Sequence, residues 1–143
     1  MDTATHPYCR CLFYSANALA RTLTRLTEDA FAETGLAPSL AFVQMAVNRQ
    51  PGVQPGEIAQ IMMLSPSTVT RLVDKLEAKG LVRRKSQGKT SSILPTAAGK
   101  RLGSSLQKAW QNVSSDYTKV LGVAASKQLT EEVWSAAVAL EAT

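Results

Sequence analysis

The stretch Leu64-Ser65-Pro66-Ser67-Thr68-Val69-Thr70-Arg71-Leu72-Val73-Asp74-Lys75-Leu76-Glu77-Ala78-Lys79-Gly80-Leu81-Val82-Arg83-Arg84 decides how this 143-residue chain reads. Serine followed by proline is a helix start. The Ser65 hydroxyl can accept from the backbone N–H near Thr68, and Pro66 sits where no N–H is required. Val69, Leu72, Val73 and Leu76 then recur at helical spacing, and Gly80 suits a C-terminal stop, so a helix is predicted over 66–79. Its opposite side presents Ser65, Ser67, Thr68, Thr70, Arg71 and Lys75. Short hydroxyls at a helix N-terminus can bond phosphates or base edges, and an arginine can pair bidentately with guanine, which makes Arg71 the candidate for base readout. Asp74 has only Ala78 at its i+4 position and so no compensating partner there, and Glu77 and Lys79 read as solvated.

On the N-terminal side, Pro55-Gly56-Glu57 opens a short helix with Ile58, Ile61 and Met62 as its buried side, ending near Met63-Leu64. On the C-terminal side the period changes. Residues 81–86 and 91–94 flank Gln87-Gly88-Lys89-Thr90, the pattern of a two-stranded hairpin with a glycine turn and a small basic tip. Two short helices joined by a tight turn and followed by a basic hairpin describe a winged helix-turn-helix, in which the second helix enters the major groove and the hairpin meets the backbone. Lys75, Arg83, Arg84 and Lys89 are the expected phosphate contacts and would set the salt dependence.

Further out, residues 11–32 place Leu12, Ala16, Leu19, Leu23, Leu26 and Ala30 on one helical stripe. Such a helix would be about 33 Å long, more than one small core needs, so part of it is expected to pack on another chain. Gly35 ends it, and Pro38-Ser39 opens a helix over 40–47, stopped by Gln50-Pro51-Gly52. Beyond the hairpin, Thr96 is read as the cap of a second long helix with Leu102, Leu106, Trp110, Val113, Tyr117 and Val120 as its stripe. A last helix covers 130–140. The expected fold is mainly α with a small β-hairpin (α+β), a single domain spanning 1–143. Residues 36–99 are expected to form the DNA-binding lobe, flanked by long N- and C-terminal helices in 1–35 and 100–143, which the family resemblance given below implies are dimerisation helices.

Composition narrows the function. With 45% apolar and 19% charged residues the chain suits one globular domain, and the N-terminus shows no signal-peptide pattern and no stretch an apolar membrane span. Two cysteines one residue apart cannot make a secreted-type disulfide framework, so a cytoplasmic setting is expected. Between residues 71 and 101 nine cations face two carboxylates, a local excess of seven in a chain of net charge +5, leaving the remainder at −2. That polarity is the footprint of a nucleic-acid partner. His6 is the sole histidine and no paired carboxylates or nucleophile elbow occur, so an enzyme is not expected. Gly88-Lys89-Thr90 matches the end of a phosphate-binding loop, but Arg83 stands where its first glycine belongs.

The central run, with Gly56-Glu57-Ile58-Ala59 before it and Pro95-Thr96-Ala97-Ala98-Gly99 after it, resembles the MarR (multiple antibiotic resistance regulator) family, and the flanking helices match in order and length. The resemblance implies a homodimeric transcription factor, a repressor more often than an activator, whose wings straddle a pseudo-palindromic duplex operator. Many members carry Asp-x-Arg in a longer wing, where the arginine reaches the minor groove. Here the hairpin is only Ser86-Gln87-Gly88-Lys89-Thr90-Ser91, so recognition is expected to depend mainly on the helix. The alternative reading is a winged helix for protein contact or non-specific DNA binding.

Cys9 and Cys11 flank Arg10 at the start of the first helix, a setting that favours thiolate and oxidation. The segment loosely resembles the organic-peroxide-sensing branch of the family, whose cysteine lies four residues before a tyrosine. Here Arg10 has that offset from Tyr14. Cys9, Cys11 and Tyr14 are therefore candidate effector or redox residues, beside the reading of the cysteines as small apolar packing. His6, Cys9 and Cys11 supply only three ligands, so neither metal nor cofactor is expected. The resemblance also implies a small aromatic or phenolic effector in many relatives, with Phe13, Tyr14, Met45 and Trp110 as possible lining.

Overall fold

A computed structural model describes residues 6–143, and Met1–Thr5, the head of the terminus read above for a signal peptide, lie outside the described residues. A 3-10 turn, Pro7–Arg10, leads into α1 (Leu12–Phe31), whose 20 residues extend about 30 Å. After Gly35, at φ +76°, come α2 (Pro38–Arg49), α3 (Pro55–Met62) and α4 (Pro66–Ala78). The hairpin pairs β1 (Val82–Gln87) with β2 (Thr90–Pro95) in antiparallel register, Val82 opposite Pro95 and Gln87 opposite Thr90. That register shortens the turn to Gly88-Lys89, with Gly88 at φ +62°, where glycine costs least. Then follow α5 (Ala97–Arg101), α6 (Gly103–Leu121) and α7 (Val123–Glu141). Among the described residues no single helix is long and apolar enough to cross a membrane.

The core lies where α2, α3, α4 and the hairpin meet the ends of α1 and α6. Phe31, Val43, Val47, Val53, Ile58, Val69, Val73, Leu76, Ile93 and Leu106 are all but inaccessible there. Val53, in the loop between α2 and α3, bridges Ile93: Gly52 N–H donates to the Ile93 carbonyl (2.8 Å) and Ile93 N–H to the Val53 carbonyl (2.9 Å). This short rung fixes the inner edge of the hairpin against the helix-turn-helix.

Three expectations are corrected. Ile61 does not join the buried side of α3. It is 55% exposed, and Ala59 is buried with Ile58 instead. The helix capped by Thr96 is not continuous: it breaks at Leu102 into α5 and α6. The Gly99 carbonyl, which an unbroken helix would bond to the Gly103 amide, accepts from Asn48 Nδ2 on α2 (3.0 Å). Within α6 the buried side is Leu106, Ala109 and Val113, and Trp110 and Val120 sit on the outside. The last helix begins at Val123, seven residues before the expected start at Thr130.

α7 packs chiefly on α6, and α6 on α1. Most of α7 faces outward. Val133, Trp134, Val138 and Leu140 are about half exposed or more, as are Leu12 and Phe13 at the head of α1.

Candidate nucleic-acid interface

The turn between α3 and α4 is tight because Met63 takes a left-handed conformation (φ +51°) and Leu64 N–H reaches back to the Ala59 carbonyl (3.0 Å). α4 then starts as its sequence dictates. Ser65 Oγ accepts from Thr68 N–H (3.2 Å), and Pro66 occupies the first helical position. The same hydroxyl lies 2.8 Å from Thr68 Oγ1 and 3.2 Å from Ser67 Oγ, and Arg71 Nη2 donates to Thr68 Oγ1 (3.4 Å). Ser65, Ser67, Thr68 and Arg71 thus form one polar cluster over the first two turns. The α4 amide ends and their dipole favour anions there. Thr70 is exposed, but its hydroxyl donates to the Pro66 carbonyl (3.0 Å), so it is already engaged within its own helix. Lys75 lies one turn beyond Arg71, exposed.

Opposite the cluster, Val69, Leu72, Val73 and Leu76 are buried, which anchors α4 and leaves its polar side outward. The hairpin stands beside it. Arg83, Lys85 and Lys89 are exposed, and with Lys75 they make no salt bridge among the described residues. Lys85 was absent from the expected contacts, although it shares a strand face with Arg83 two residues away, and period-two alternation would have found it.

Arg84, expected among the phosphate contacts, is paired within the lobe: its Nη2 lies 2.6 Å from Asp74 Oδ1 and its Nη1 3.0 Å from Glu77 Oε1, both on α4. The Arg84 backbone N–H donates to Glu77 Oε2 (3.0 Å), and Nη2 also reaches the Thr70 carbonyl (3.3 Å). Glu77, expected to be solvated, and Asp74, which has no partner on its own helix, are therefore both paired with the hairpin. The reason is the strand pleat. Val82 and Arg84 share the face turned to α4, whereas Arg83 and Lys85 take the other.

The base of the wing is tied through Thr96, whose hydroxyl donates to the Gly80 carbonyl (2.6 Å) and accepts from Gly99 N–H (3.1 Å). Behind it, fully buried Gln44 donates to the Leu81 carbonyl (3.3 Å) and to Asn48 Oδ1 (2.9 Å). These bonds join α2, the wing and α5, the point where the lobe passes into the long helices.

The thiol segment is compact. Cys9 and Cys11 are exposed, Cys9 Sγ donates to the His6 carbonyl (2.8 Å), and Cys11 is the residue that precedes α1. Tyr14 packs its ring against Tyr8, with centroids 5.7 Å apart. Between α1, α6 and α7 lies an apolar cavity of about 290 Å³, walled by Leu19, Leu23, Tyr117, Leu129, Val133 and Trp134 among others. Phe13, Tyr14, Met45 and Trp110 do not line it.

Residues 45–90, from the middle of α2 to the start of β2, match the MarR family profile. Over 80 residues the chain is 28% identical to the HTH-type transcriptional repressor MdtR of Bacillus subtilis (strain 168), an overlap of 56% of this chain and 52% of that protein. The chain thus matches about half the length of that curated relative. In fold the similarity covers nearly the whole molecule. CouR from Rhodococcus jostii RHA1, crystallised with p-coumaroyl-CoA, superposes with a TM-score of 0.80 at 23% identity, over 93% of this chain and 96% of that one. A MarR family regulator from Listeria monocytogenes in complex with 26mer DNA superposes with a TM-score of 0.78 at 19% identity, over 92% and 89%.

Proposed function

We propose that the chain is a MarR family member and a sequence-specific DNA-binding transcriptional regulator, acting as a homodimer that represses by occluding a pseudo-palindromic operator. The observation that carries the reading is the outward polar side of α4. Ser65, Ser67, Thr68 and Arg71 are grouped at the start of a helix anchored by its buried side, with the free cations Lys75, Arg83, Lys85 and Lys89 around them. Short hydroxyls with one arginine suit a major groove, where the arginine reads guanine and the lysines bind phosphates. The Listeria regulator of similar fold was crystallised in complex with 26mer DNA, and the curated Bacillus relative is a repressor.

A second copy of the chain is the partner proposed for the apolar side of α1, α6 and α7. Trp110, Val133, Trp134 and Leu140 form an exposed apolar surface suited to burial against that copy, and half-sites about one turn of DNA apart would suit two α4 helices related by a dyad. In this reading residues 1–35 and 100–143 dimerise and 36–99 bind DNA. Release would come from a small aromatic or phenolic effector, by analogy with the CouR complex, or from oxidation of the exposed Cys9 and Cys11 beside Arg10.

The test is selection of binding sites from a random duplex pool at near-physiological salt, repeated with Arg71→Ala. A palindromic motif that the variant loses or relaxes at one base pair, with a cost of about 1–3 kcal/mol, supports the reading. Binding without enrichment of any sequence would refute it in favour of a non-specific or protein-binding winged helix.

A further inference from the structure

The clamp on Arg84 carries an inference about how the proposed DNA contact is built, and it rests on the DNA-binding reading above. Three exposed or half-exposed charges make it: the side chains of Arg84, Asp74 and Glu77 retain 27%, 59% and 44% of their exposure. A single ion pair this open to solvent adds little to global stability, but several charges bonded as one network can fix local geometry, and here the network joins only the wing to α4. Its geometry is specific. One guanidinium engages two carboxylates and a helix carbonyl, while the strand backbone at the same residue donates to the second oxygen of Glu77. Only a planar fork of donors can span acceptors in this way, which a lysine cannot reproduce.

Two consequences follow from the charges. Arg84 is neutralised and contributes no free cation for phosphate. Asp74 and Glu77 lie on the helix that must approach the most negative of partners, and Arg84 engages both while offsetting one of their two charges. We propose that Arg84 is a positioning residue for DNA recognition: it fastens the wing to the recognition helix and masks the two carboxylates, so that Arg71 and the wing cations meet the duplex as one rigid surface without Arg84 touching it.

Salt dependence separates this role from phosphate contact. A cation that neutralises a phosphate releases counterions, so its loss makes the slope of log K against log salt shallower by about 0.9. Arg84→Ala is expected to weaken operator binding about tenfold, the scale of coupling within a charged network, and to leave that slope unchanged. Arg83→Ala, the comparison, is expected to make it shallower. The paired variant Asp74→Asn with Glu77→Gln keeps Arg84 and should preserve the fold. It adds two units of positive charge, so random duplex should bind more tightly, yet with the wing unfastened the preference for operator over random duplex should fall about tenfold. A slope shallower by about 0.9 in Arg84→Ala, or an operator preference unchanged in the paired variant, overturns the inference while leaving the regulator reading intact. A wild-type protein that prefers no duplex sequence overturns both.

Discussion

Replacing Gly99 with alanine tests the joint between the DNA-binding lobe and the long helices. Gly99 is buried near the start of α5, and a Cβ built there would stand 2.1 Å from the Leu81 carbonyl oxygen and 2.5 Å from Gln44 Nε2. Neither neighbour can step aside cheaply. Leu81 O is main chain at the root of the wing, and Gln44 is fully buried, with Nε2 bonded to that carbonyl and to Asn48. Overpacking of this kind costs about 1–3 kcal/mol. Moving Leu81 and Gln44 apart also threatens the Gln44 bond and the Asn48 bond to the Gly99 carbonyl, each about 1 kcal/mol. Against this, alanine in a helix recovers about 0.5–1 kcal/mol of backbone entropy. The balance is a loss of about 3 kcal/mol, which for a chain of this size lowers the midpoint by about 6–12 °C. Urea and thermal unfolding at one fixed protein concentration would measure it, since the stability of the homodimer proposed above would depend on concentration. Gly56→Ala is the control. Gly56 lies in the first turn of α3 with nothing within 4 Å of its would-be Cβ, so the change there should be neutral or stabilising by up to about 1 kcal/mol. A Gly99→Ala protein within about 1 kcal/mol of wild type would refute the packing argument.

Ser65→Ala removes the cap of α4 and should cost about 1 kcal/mol in urea unfolding; an unchanged midpoint would mean that the hydroxyl bond to Thr68 N–H adds nothing. Trp134→Ala, at an outward position on α7, should raise the dimer dissociation constant at least about 30-fold in sedimentation experiments, and an unaltered dimer would exclude this face as the interface. Lys89→Ala, at the wing tip, should make the salt slope shallower by at most about 0.9 and spare the sequence preference, whereas a collapse of specificity would show that the short wing reads bases. Iodoacetamide should modify the exposed Cys9 and Cys11 in the native protein, and inert thiols would remove oxidation as a route of release.

The helix-turn-helix and its wing were legible because they are written in neighbouring residues. Ser65-Pro66 specifies a cap whose donor is three residues away, the stripe Val69, Leu72, Val73 and Leu76 repeats at the helical period, and Gly88 marks the turn. The polar side of α4 follows from the same stripe, since a helix buried on one side has only the other to offer. Where local signals conflicted with packing, packing prevailed. Met63 holds a left-handed conformation that a sequence reader assigns to glycine, because the turn into α4 requires it.

What the chain alone could not disclose are relations between residues that no short period connects. The break at Leu102 depends on Asn48, 51 positions before the Gly99 carbonyl it takes. Gly56 and Gly99 look alike as letters, yet one faces open space and the other a carbonyl. Arg84 reads as one more cation in a basic run until the strand pleat turns it toward Asp74 and Glu77. The sequence by itself determined the two helices and the hairpin of the winged helix-turn-helix, the apolar side of α4, and that one stretch carries the positive charge, since hydrophobic period, caps and turns act over a few residues. The tertiary structure decided where the later helices break and begin, and which cations stand free and which are spent within the lobe, because an ion pair depends on distances of 3 Å that only the packing of α4 against β1 can set.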